Sequence, residues 1–138
     1  MIDLTTPHGQ RVARQLAEER VIWLTTVGDD GTPHPSPVWF LWNGGELIIF
    51  SKPGAPKVRH IAVRPNIALN FNTDVTGEEV SVIYGAAALS GAALNDGERA
   101  AYLAKYADGI AGLGSTAERF EAEYSALIRI APARLRGW

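Results

Sequence analysis

Three apolar runs separated by short turns occupy residues 21–50, VIWLTTVGDDGTPHPSPVWFLWNGGELIIF. The first run, Val21–Val27, is rich in β-branched and aromatic side chains, and Gly28–Gly31 supplies turn residues after it. A second turn at Asn43–Gly45 leads into Glu46–Phe50. Consecutive strands joined by turns this short pair in antiparallel fashion, so the segment predicts an antiparallel sheet rather than a doubly wound parallel one.

The middle run of this segment, Thr32–Trp42, carries prolines at positions 33, 35 and 37. Proline has no N–H to donate to a neighbouring strand, so prolines are confined to sheet edges, bulges or crevices. We therefore expect the first half of Thr32–Trp42 to lie at an edge, at a bulge or beside a cleft.

The remaining elements follow from periodicity and end signals on either side of this segment. Thr6 and Pro7 form an N-cap and first helical residue for a helix reaching about Arg20, and a short helix begins at Pro56 and stops before Arg64. Asn95 with Glu98 and Ser115 with Glu118 resemble capping boxes of two further helices. The glycines between those helices, at positions 109, 112 and 114, read as a flexible connection. Additional strands are predicted at 67–72, 80–84 with a possible extension to 88, and 126–138, where Pro132 marks a bulge or edge.

This order predicts a protein that is mainly β with α, in one domain over residues 1–138. An antiparallel β-barrel, closed or split, with peripheral helices accommodates it most economically.

Composition excludes several classes of protein. The 138 residues carry a formal net charge of -2 and no cysteine. Nucleic-acid binders usually carry a basic face on a basic domain, and thiol catalysis requires cysteine. The N-terminus lacks the basic and apolar regions of a signal peptide, and no apolar run approaches the ~18 residues of a membrane span. We expect a cytoplasmic protein without nucleic-acid or membrane partners.

A phosphate-binding pattern follows directly after the third apolar run. Ser51–His60, SKPGAPKVRH, ends a strand and opens a helix with Pro56 as its first residue and Lys57 in its first turn. The free N–H groups of a first helical turn and a lysine there favour an anion. From Leu47 to Thr73 the chain has no Asp or Glu but contains Lys52, Lys57, Arg59 and Arg64. The alternative is a solvated helix with ordinary surface charges.

Other chemistry-bearing residues give weaker signals. His8, His34 and His60 are scattered without metal-ligand spacing, so no metal site is predicted, and the paired carboxylates at 29–30 and 78–79 read as solvated turn residues. Tryptophan side chains lie in the core of most proteins, and that is the ordinary interpretation here. For Trp39 and Trp138 the alternative is that they border a ring-binding cleft.

Several of these segments together resemble the pyridoxamine 5'-phosphate oxidase-like, FMN-binding split barrels. They are Pro35–Phe40, Gly45–Leu47, Ser51, Lys57–Ile61 and Arg64–Leu69. The ending, Tyr124–Ile130 followed by Arg134–Trp138, is similar to the actinobacterial branch of that family that uses the deazaflavin coenzyme F-420. The basic, aromatic C-terminal substrate motif of the true pyridoxamine phosphate oxidases is missing.

The resemblance implies a homodimer that holds a flavin or deazaflavin in the cleft between subunits. It implies phosphate contacts from Ser51, Lys57 and the segment of Pro56, with Lys52 as an additional contact. It places the ring system along the backbone of Pro37, Val38 and Trp39. No catalytic side chain is assigned, because the ring carries the hydride and the protein supplies position and electrostatics.

The resemblance therefore predicts an F-420-dependent reductase acting on an unknown small molecule. The alternative is an FMN protein of the same fold, either an oxidoreductase or a noncatalytic flavin carrier. A structural barrel without any cofactor is the third interpretation.

Overall fold

The computed structural model describes all 138 residues, from Met1 to Trp138. Four helices and seven strands follow in this order: α1 (Pro7–Glu18), β1 (Ile22–Val27), β2 (Pro33–Val38), β3 (Leu41–Trp42), β4 (Leu47–Ser51), α2 (Pro56–Val63), β5 (Asn66–Asn70), β6 (Ser81–Ser90), α3 (Asp96–Gly112), α4 (Ala117–Glu123) and β7 (Ala126–Gly137). The predicted helices and strands are present in the predicted order, except that the segment predicted as one strand over 32–42 is divided into β2 and β3. No helix is both long enough and apolar enough to cross a membrane.

All seven strands form one antiparallel sheet in the order β2-β1-β5-β6-β7-β4-β3. The sheet curls into a half-barrel, and the predicted antiparallel split-barrel class is confirmed. A bulge in the β6–β7 ladder pairs Tyr84 with Arg134 and Gly85 with Pro132, which leaves Ala133 as the extra residue. Pro132 therefore lies at a bulge, as its missing N–H predicts.

Two apolar clusters cover the two faces of the sheet. The larger has sixteen buried residues and joins one face of the sheet to α1 and α2, whereas the smaller has seven and joins the opposite face to α3 and α4. In β4, Leu47 and Ile49 enter the larger cluster and Ile48 the smaller one. This strand is therefore apolar on both faces, which explains why it has no polar alternation.

β2 forms one edge of the sheet, as the prolines predict. Pro33, Pro35 and Pro37 pair in register with Val27, Thr25 and Trp23 of β1. Alternate residues of an edge strand direct their backbone groups away from the partner, so prolines at these positions leave the β1–β2 ladder intact. The free edge of β2 consequently presents carbonyl groups without N–H donors, which discourages pairing with another strand.

The prediction of one continuous strand over 32–42 is wrong at Trp39 and Phe40, where the chain leaves the ladder. Side chains of α3 form the hydrogen bonds that a neighbouring strand would otherwise make with the Phe40 backbone. The Tyr106 hydroxyl accepts the Phe40 N–H at 2.8 Å, and the Lys105 ammonium donates to the Phe40 carbonyl at 2.8 Å. This break turns the Trp39 side chain toward α3 and α4.

The flexible connection predicted at positions 109–114 is also wrong in part, because α3 continues to Gly112. Gly109 lies against the Trp39 indole, and a Cβ there would come within 2.9 Å of the ring. The glycine is required for close packing rather than for flexibility. The capping box of Asn95 and Glu98 is confirmed, whereas α4 is capped by Thr116 and not by Ser115.

Glu98 also anchors α3 to the sheet. Its carboxylate accepts hydrogen bonds from Arg129 at 2.8 and 3.0 Å and from Asn43 at 3.0 Å, and its side chain is only 10% exposed. These bonds, with that of Arg129 foremost, lower the pKa of Glu98 from 4.5 to about 2. A carboxyl group with a depressed pKa stabilises the folded state above its unfolded pKa, and this contribution is lost as the pH falls toward 2.

We expect Glu98→Gln to lower the free energy of unfolding at pH 7 by about 1–3 kcal/mol, since a charge-assisted network is weakened. At pH 3 the difference from the parent should shrink, because pH 3 lies below the unfolded-state pKa of 4.5, so the unfolded parent is protonated at Glu98 and must lose that proton to fold. Urea unfolding of both proteins at both pH values measures the difference in their free energies of unfolding. Glu121→Gln, which breaks a more exposed pair with Arg99, is the control and should cost less than about 1 kcal/mol. An equal loss for Glu98→Gln at both pH values would contradict the assignment.

Candidate cofactor-binding site

A cavity of about 340 Å³ lies where the ends of β2 and β4 and the start of α2 meet α3 and α4. Eight of its twelve lining residues are hydrophobic. The lining comprises Pro37, Val38, Trp39, Phe50, Ser51, Lys52, Ala55, Lys57, Tyr102, Leu113, Phe120 and Tyr124. We call it the ring cavity.

Six of the seven predicted binding residues line the ring cavity. Pro37, Val38 and Trp39 reach it from the end of β2, and Ser51, Lys52 and Lys57 from the segment that joins β4 to α2. The seventh, Pro56, is exposed as the first residue of α2 and lines a shallow basin of about 540 Å³ on the outer side of that helix. Two segments that are distant in sequence thus meet at one site.

Aromatic rings form the apolar wall of the ring cavity. The Trp39 indole stacks on Tyr106 with a centroid distance of 4.6 Å and an interplanar angle of 5°, and on Phe120 at 5.7 Å and 22°. Phe120 stacks in turn on Tyr124 at 4.7 Å. Such a wall has the flat shape and low polarity that suit a planar conjugated molecule.

Ser51 and Lys57 form the polar end of the ring cavity. Ser51 is 3% exposed, and its hydroxyl donates to the Lys52 carbonyl at 3.0 Å, which leaves its oxygen able to accept. Lys57 is half-buried without an ion-pair partner, and burial lowers the pKa of its ammonium group. The N-cap of α2, Ala55, has no side-chain oxygen for the first-turn N–H groups. An anion at this end would supply the negative charge that the site lacks.

The other cations of the basic segment are already paired. Arg59 and Arg64 both contact the Asp29 carboxylate, Arg64 at 3.0 Å. Lys52 pairs with Glu123 at 3.1 Å at the rim of the ring cavity. Asp29 lies in a turn with its side chain 55% exposed, as expected, and also pairs with these two arginines. Of the four cations only Lys57 is left without a carboxylate.

Sequence reasoning did not assign the cavity residues that α3 and α4 contribute. Tyr102, Phe120 and Tyr124 come from those elements, and their only signal was the helical spacing that places Phe120 and Tyr124 on one face. Such spacing is equally typical of core residues.

Two of the three histidines, which were expected to be scattered, lie together beside β1. The rings of His34 and His60 are 4.8 Å apart, and His60 Nδ1 lies 2.9 Å from the Thr26 hydroxyl. No group of three or more His, Asp or Glu side chains is arranged to bind a metal ion. Trp138, the alternative border of a ring cleft, is 63% exposed and lies outside the ring cavity.

A family model for pyridoxamine 5'-phosphate oxidase matches residues 9–138. The chain belongs to the pyridoxamine 5'-phosphate oxidase family. The match covers nearly the whole chain, including both segments that meet at the ring cavity, and it confirms the family-level resemblance. No curated protein matches the sequence.

Solved structures with a similar fold include a haem-storage protein, an F420 reductase and a FAD-binding protein. The haem-storage protein HutZ of Vibrio cholerae has a TM-score of 0.71 at 18% identity, with 93% of this chain and 92% of that chain covered. An F420 reductase has a TM-score of 0.63 at 20% identity, with 89% and 94% covered. A FAD-binding protein of Mesorhizobium loti has a TM-score of 0.65 at 15% identity, with 93% and 90% covered. At these identities the likeness concerns the fold alone.

Proposed function

We propose that this member of the pyridoxamine 5'-phosphate oxidase family is an oxidoreductase that binds coenzyme F-420 and reduces a small molecule. One observation carries the proposal: an unpaired, half-buried lysine and a buried serine face the same cavity as an aromatic wall. That donor set fits a cofactor with a planar ring at one end and a phosphate at the other. The ending at 124–138 and the fold shared with an F420 reductase favour the deazaflavin.

In this proposal each part of the site has a separate task. The bound cofactor supplies hydride transfer through its ring system. Lys57 and Ser51 bind the phosphate at the start of α2, where the positive end of the helix dipole also favours an anion. Trp39, Phe50 and Phe120 exclude water from the ring, and the backbone of Pro37–Trp39 orients it.

The second candidate is an FMN protein of the same fold, either an oxidoreductase or a flavin carrier. FMN also joins a planar ring to a phosphate, so the ring cavity fits it on the same grounds, and a FAD-binding protein shares the fold. Protein made in a host that lacks F-420 distinguishes the two candidates. An F-420 protein should be colourless and bind added F-420 at least tenfold more tightly than FMN, whereas a yellow protein retaining FMN would favour the second candidate.

Cofactor binding should quench the tryptophan emission, because the proposed ring position lies against Trp39. The experiment is a fluorescence titration with F-420 and with FMN. Trp39→Phe, which keeps an aromatic ring at the same place, should remove most of the quench that the parent shows. If emission is unchanged at saturation in the parent protein, the ring does not lie beside Trp39.

We also propose that the protein is a homodimer whose second subunit closes the ring cavity. The cavity is open to solvent, and Leu113, one of its lining residues, is 59% exposed. An apolar residue at a cavity rim is suited to burial against a partner surface. Sedimentation at micromolar concentration should give the mass of two chains, and a monomer would remove the proposed two-subunit cleft.

A further inference from the structure

The ammonium group of Lys105 contacts a main-chain carbonyl and an aromatic ring rather than a carboxylate. Lys105 projects from α3 and is half-buried. Its Nζ donates to the Phe40 carbonyl at 2.8 Å and lies 3.7 Å from the centre of the Phe40 ring. No carboxylate lies within ion-pair distance of it. Taking a charge partly out of water is costly, so a half-buried cation held in this way needs an explanation.

The Tyr106 hydroxyl does not fully replace Lys105 as a donor to Phe40. It lies 2.9 Å from the Phe40 carbonyl and 2.7 Å from the Arg20 carbonyl, and it also accepts the Phe40 N–H at 2.8 Å. A hydroxyl has one proton, so it donates to one of these two carbonyls at a time, and the shorter distance favours Arg20. Lys105 is therefore the donor on which the Phe40 carbonyl depends.

The position of Phe40 determines the position of its neighbour Trp39. Both residues lie between the β1–β2 and β3–β4 ladders and pair with no strand. Backbone groups without a strand partner need other hydrogen bonds, and here α3 supplies them. The Trp39 indole lines the ring cavity and stacks on Tyr106 at 4.6 Å. Lys105 does not line the ring cavity, so its influence on a ligand there passes through Trp39.

We propose that Lys105 is a positioning residue of the ring cavity, whose charged ammonium group fixes the Phe40 backbone and thereby holds the Trp39 indole in the aromatic wall. The charged group forms a charge-assisted hydrogen bond and a cation–π contact, whereas the neutral amine keeps only an ordinary hydrogen bond. Loss of the proton therefore loosens Trp39 and makes the ring cavity less suited to a planar ring. The consequence for cofactor binding rests on the proposed function, whereas the effect on Trp39 does not.

The charges around Lys105 set the pH range of this effect. Arg20 and Glu19 lie near it after the end of α1, and the Tyr106 ring lies 5.3 Å from its Nζ on α3. Burial first, and then the Arg20 charge, lower the pKa of Lys105 from 10.5 to about 8, with Glu19 acting in the opposite direction. Because the folded pKa is lower than the unfolded one, this group makes the fold more stable as the pH rises from about 8 to 10.5. Release of Trp39 in alkaline solution is therefore distinct from unfolding.

Near-ultraviolet dichroism of the free protein tests the proposal without a cofactor. Between about pH 6.5 and 9.5, a range that brackets the Lys105 pKa, the parent should show a step that Trp39→Phe lacks. Lys105→Arg, whose guanidinium stays charged, should show no step. Lys105→Met should resemble the alkaline parent at every pH. A step that persists in Lys105→Arg would overturn the proposal, because another group, such as Lys57, would then cause it.

Cofactor titration at neutral pH measures the consequence for binding. Apparent affinity falls with the fraction of the protein that is in the binding-competent arrangement. If Lys105→Met leaves the indole in place about a tenth to a third of the time, F-420 or FMN should bind about three- to tenfold more weakly. Lys105→Arg should bind within about twofold of the parent, because it keeps a charged donor. Arg14→Met removes an exposed, unpaired cation of α1 and is the control, with parental affinity expected.

Stability separates positioning of Trp39 from general support of the fold. At neutral pH the urea midpoint of Lys105→Met should equal or exceed that of the parent, because the variant removes a charge that burial disfavours. A clear fall in the midpoint together with weaker binding would overturn the proposal, since the whole protein would then be loosened.

The binding results distinguish failure of this proposal from failure of the function. If the parent binds F-420 or FMN in a Lys57-dependent manner and Lys105→Met binds as tightly, the Lys105 assignment is wrong and the proposed function stands. If neither cofactor binds the parent protein, the proposed function is wrong, and the dichroism step alone decides the Lys105 assignment.

Discussion

Lys57→Ala should weaken cofactor binding about ten- to a hundredfold and leave the fold and the maximal rate intact. The expected loss corresponds to one charge-assisted hydrogen bond of roughly 1.5–3 kcal/mol to the phosphate. Lys57 is the cation of the basic segment that has no carboxylate partner, so the substitution breaks no ion pair within the protein. Titration with F-420 or FMN measures the change, and urea unfolding checks the fold.

Lys57→Glu should be worse than Lys57→Ala, because it places a carboxylate beside the phosphate. A carboxylate near a helix N-terminus is normally favourable, so the stability of the free protein should hold while cofactor affinity falls further. Arg64→Ala is the matched control, since Arg64 is engaged with Asp29. The phosphate would have to lie elsewhere if Lys57→Ala bound within twofold of the parent while Arg64→Ala bound much more weakly.

Gly109→Ala should destabilise the protein by about 1–3 kcal/mol, although alanine favours a helix over glycine by up to about 1 kcal/mol. The added methyl group would come within 2.9 Å of the Trp39 ring, which Tyr106 and Phe120 hold on its faces. We expect the indole to shift, and cofactor affinity to fall with it. Urea unfolding measures the loss of stability, and the near-ultraviolet dichroism of tryptophan reports the shift of the indole. Titration with F-420 or FMN measures the affinity.

Gly112→Ala is the matched control for Gly109→Ala. It makes the same substitution three residues later on α3, where a Cβ has nothing within 4 Å. This variant should be as stable as the parent or slightly more stable, with unchanged cofactor affinity. Equal behaviour of the two variants would show that Gly109 does not hold Trp39 in place.

Much of the fold could be predicted because local signals and tertiary structure agree. The turns at Gly28–Gly31 and Asn43–Gly45 fix short antiparallel connections, and the prolines at 33, 35 and 37 specify an edge strand. The strand-to-helix junction at Ser51–Lys57 was also readable, because Pro56 marks a helix start and the chain there carries no acidic residue. These features depend on backbone chemistry within a few residues.

The features that were missed depend on residues distant in sequence. The break at Trp39 and Phe40 exists because Tyr106 and Lys105, some 65 residues away, supply hydrogen bonds to Phe40. The same break explains Gly109. In sequence alone this glycine is typical of a loop, whereas in the structure it allows the Trp39 ring to pack closely against α3. Pairing of Asp29 with Arg59 and Arg64 likewise follows from the fold, so composition could not tell which cation stays free.

A crystal structure of the protein with F-420 or FMN bound would test the account most directly. We predict phosphate oxygens about 2.7–3.2 Å from the Lys57 ammonium group and the Ser51 hydroxyl, with the ring along Pro37–Trp39 and facing the aromatic wall. A phosphate held by Arg59 and Arg64 on the outer side of α2 would contradict it. A ring bound instead in the separate cavity of about 310 Å³ that Arg99, Leu103 and Glu121 line would also contradict it.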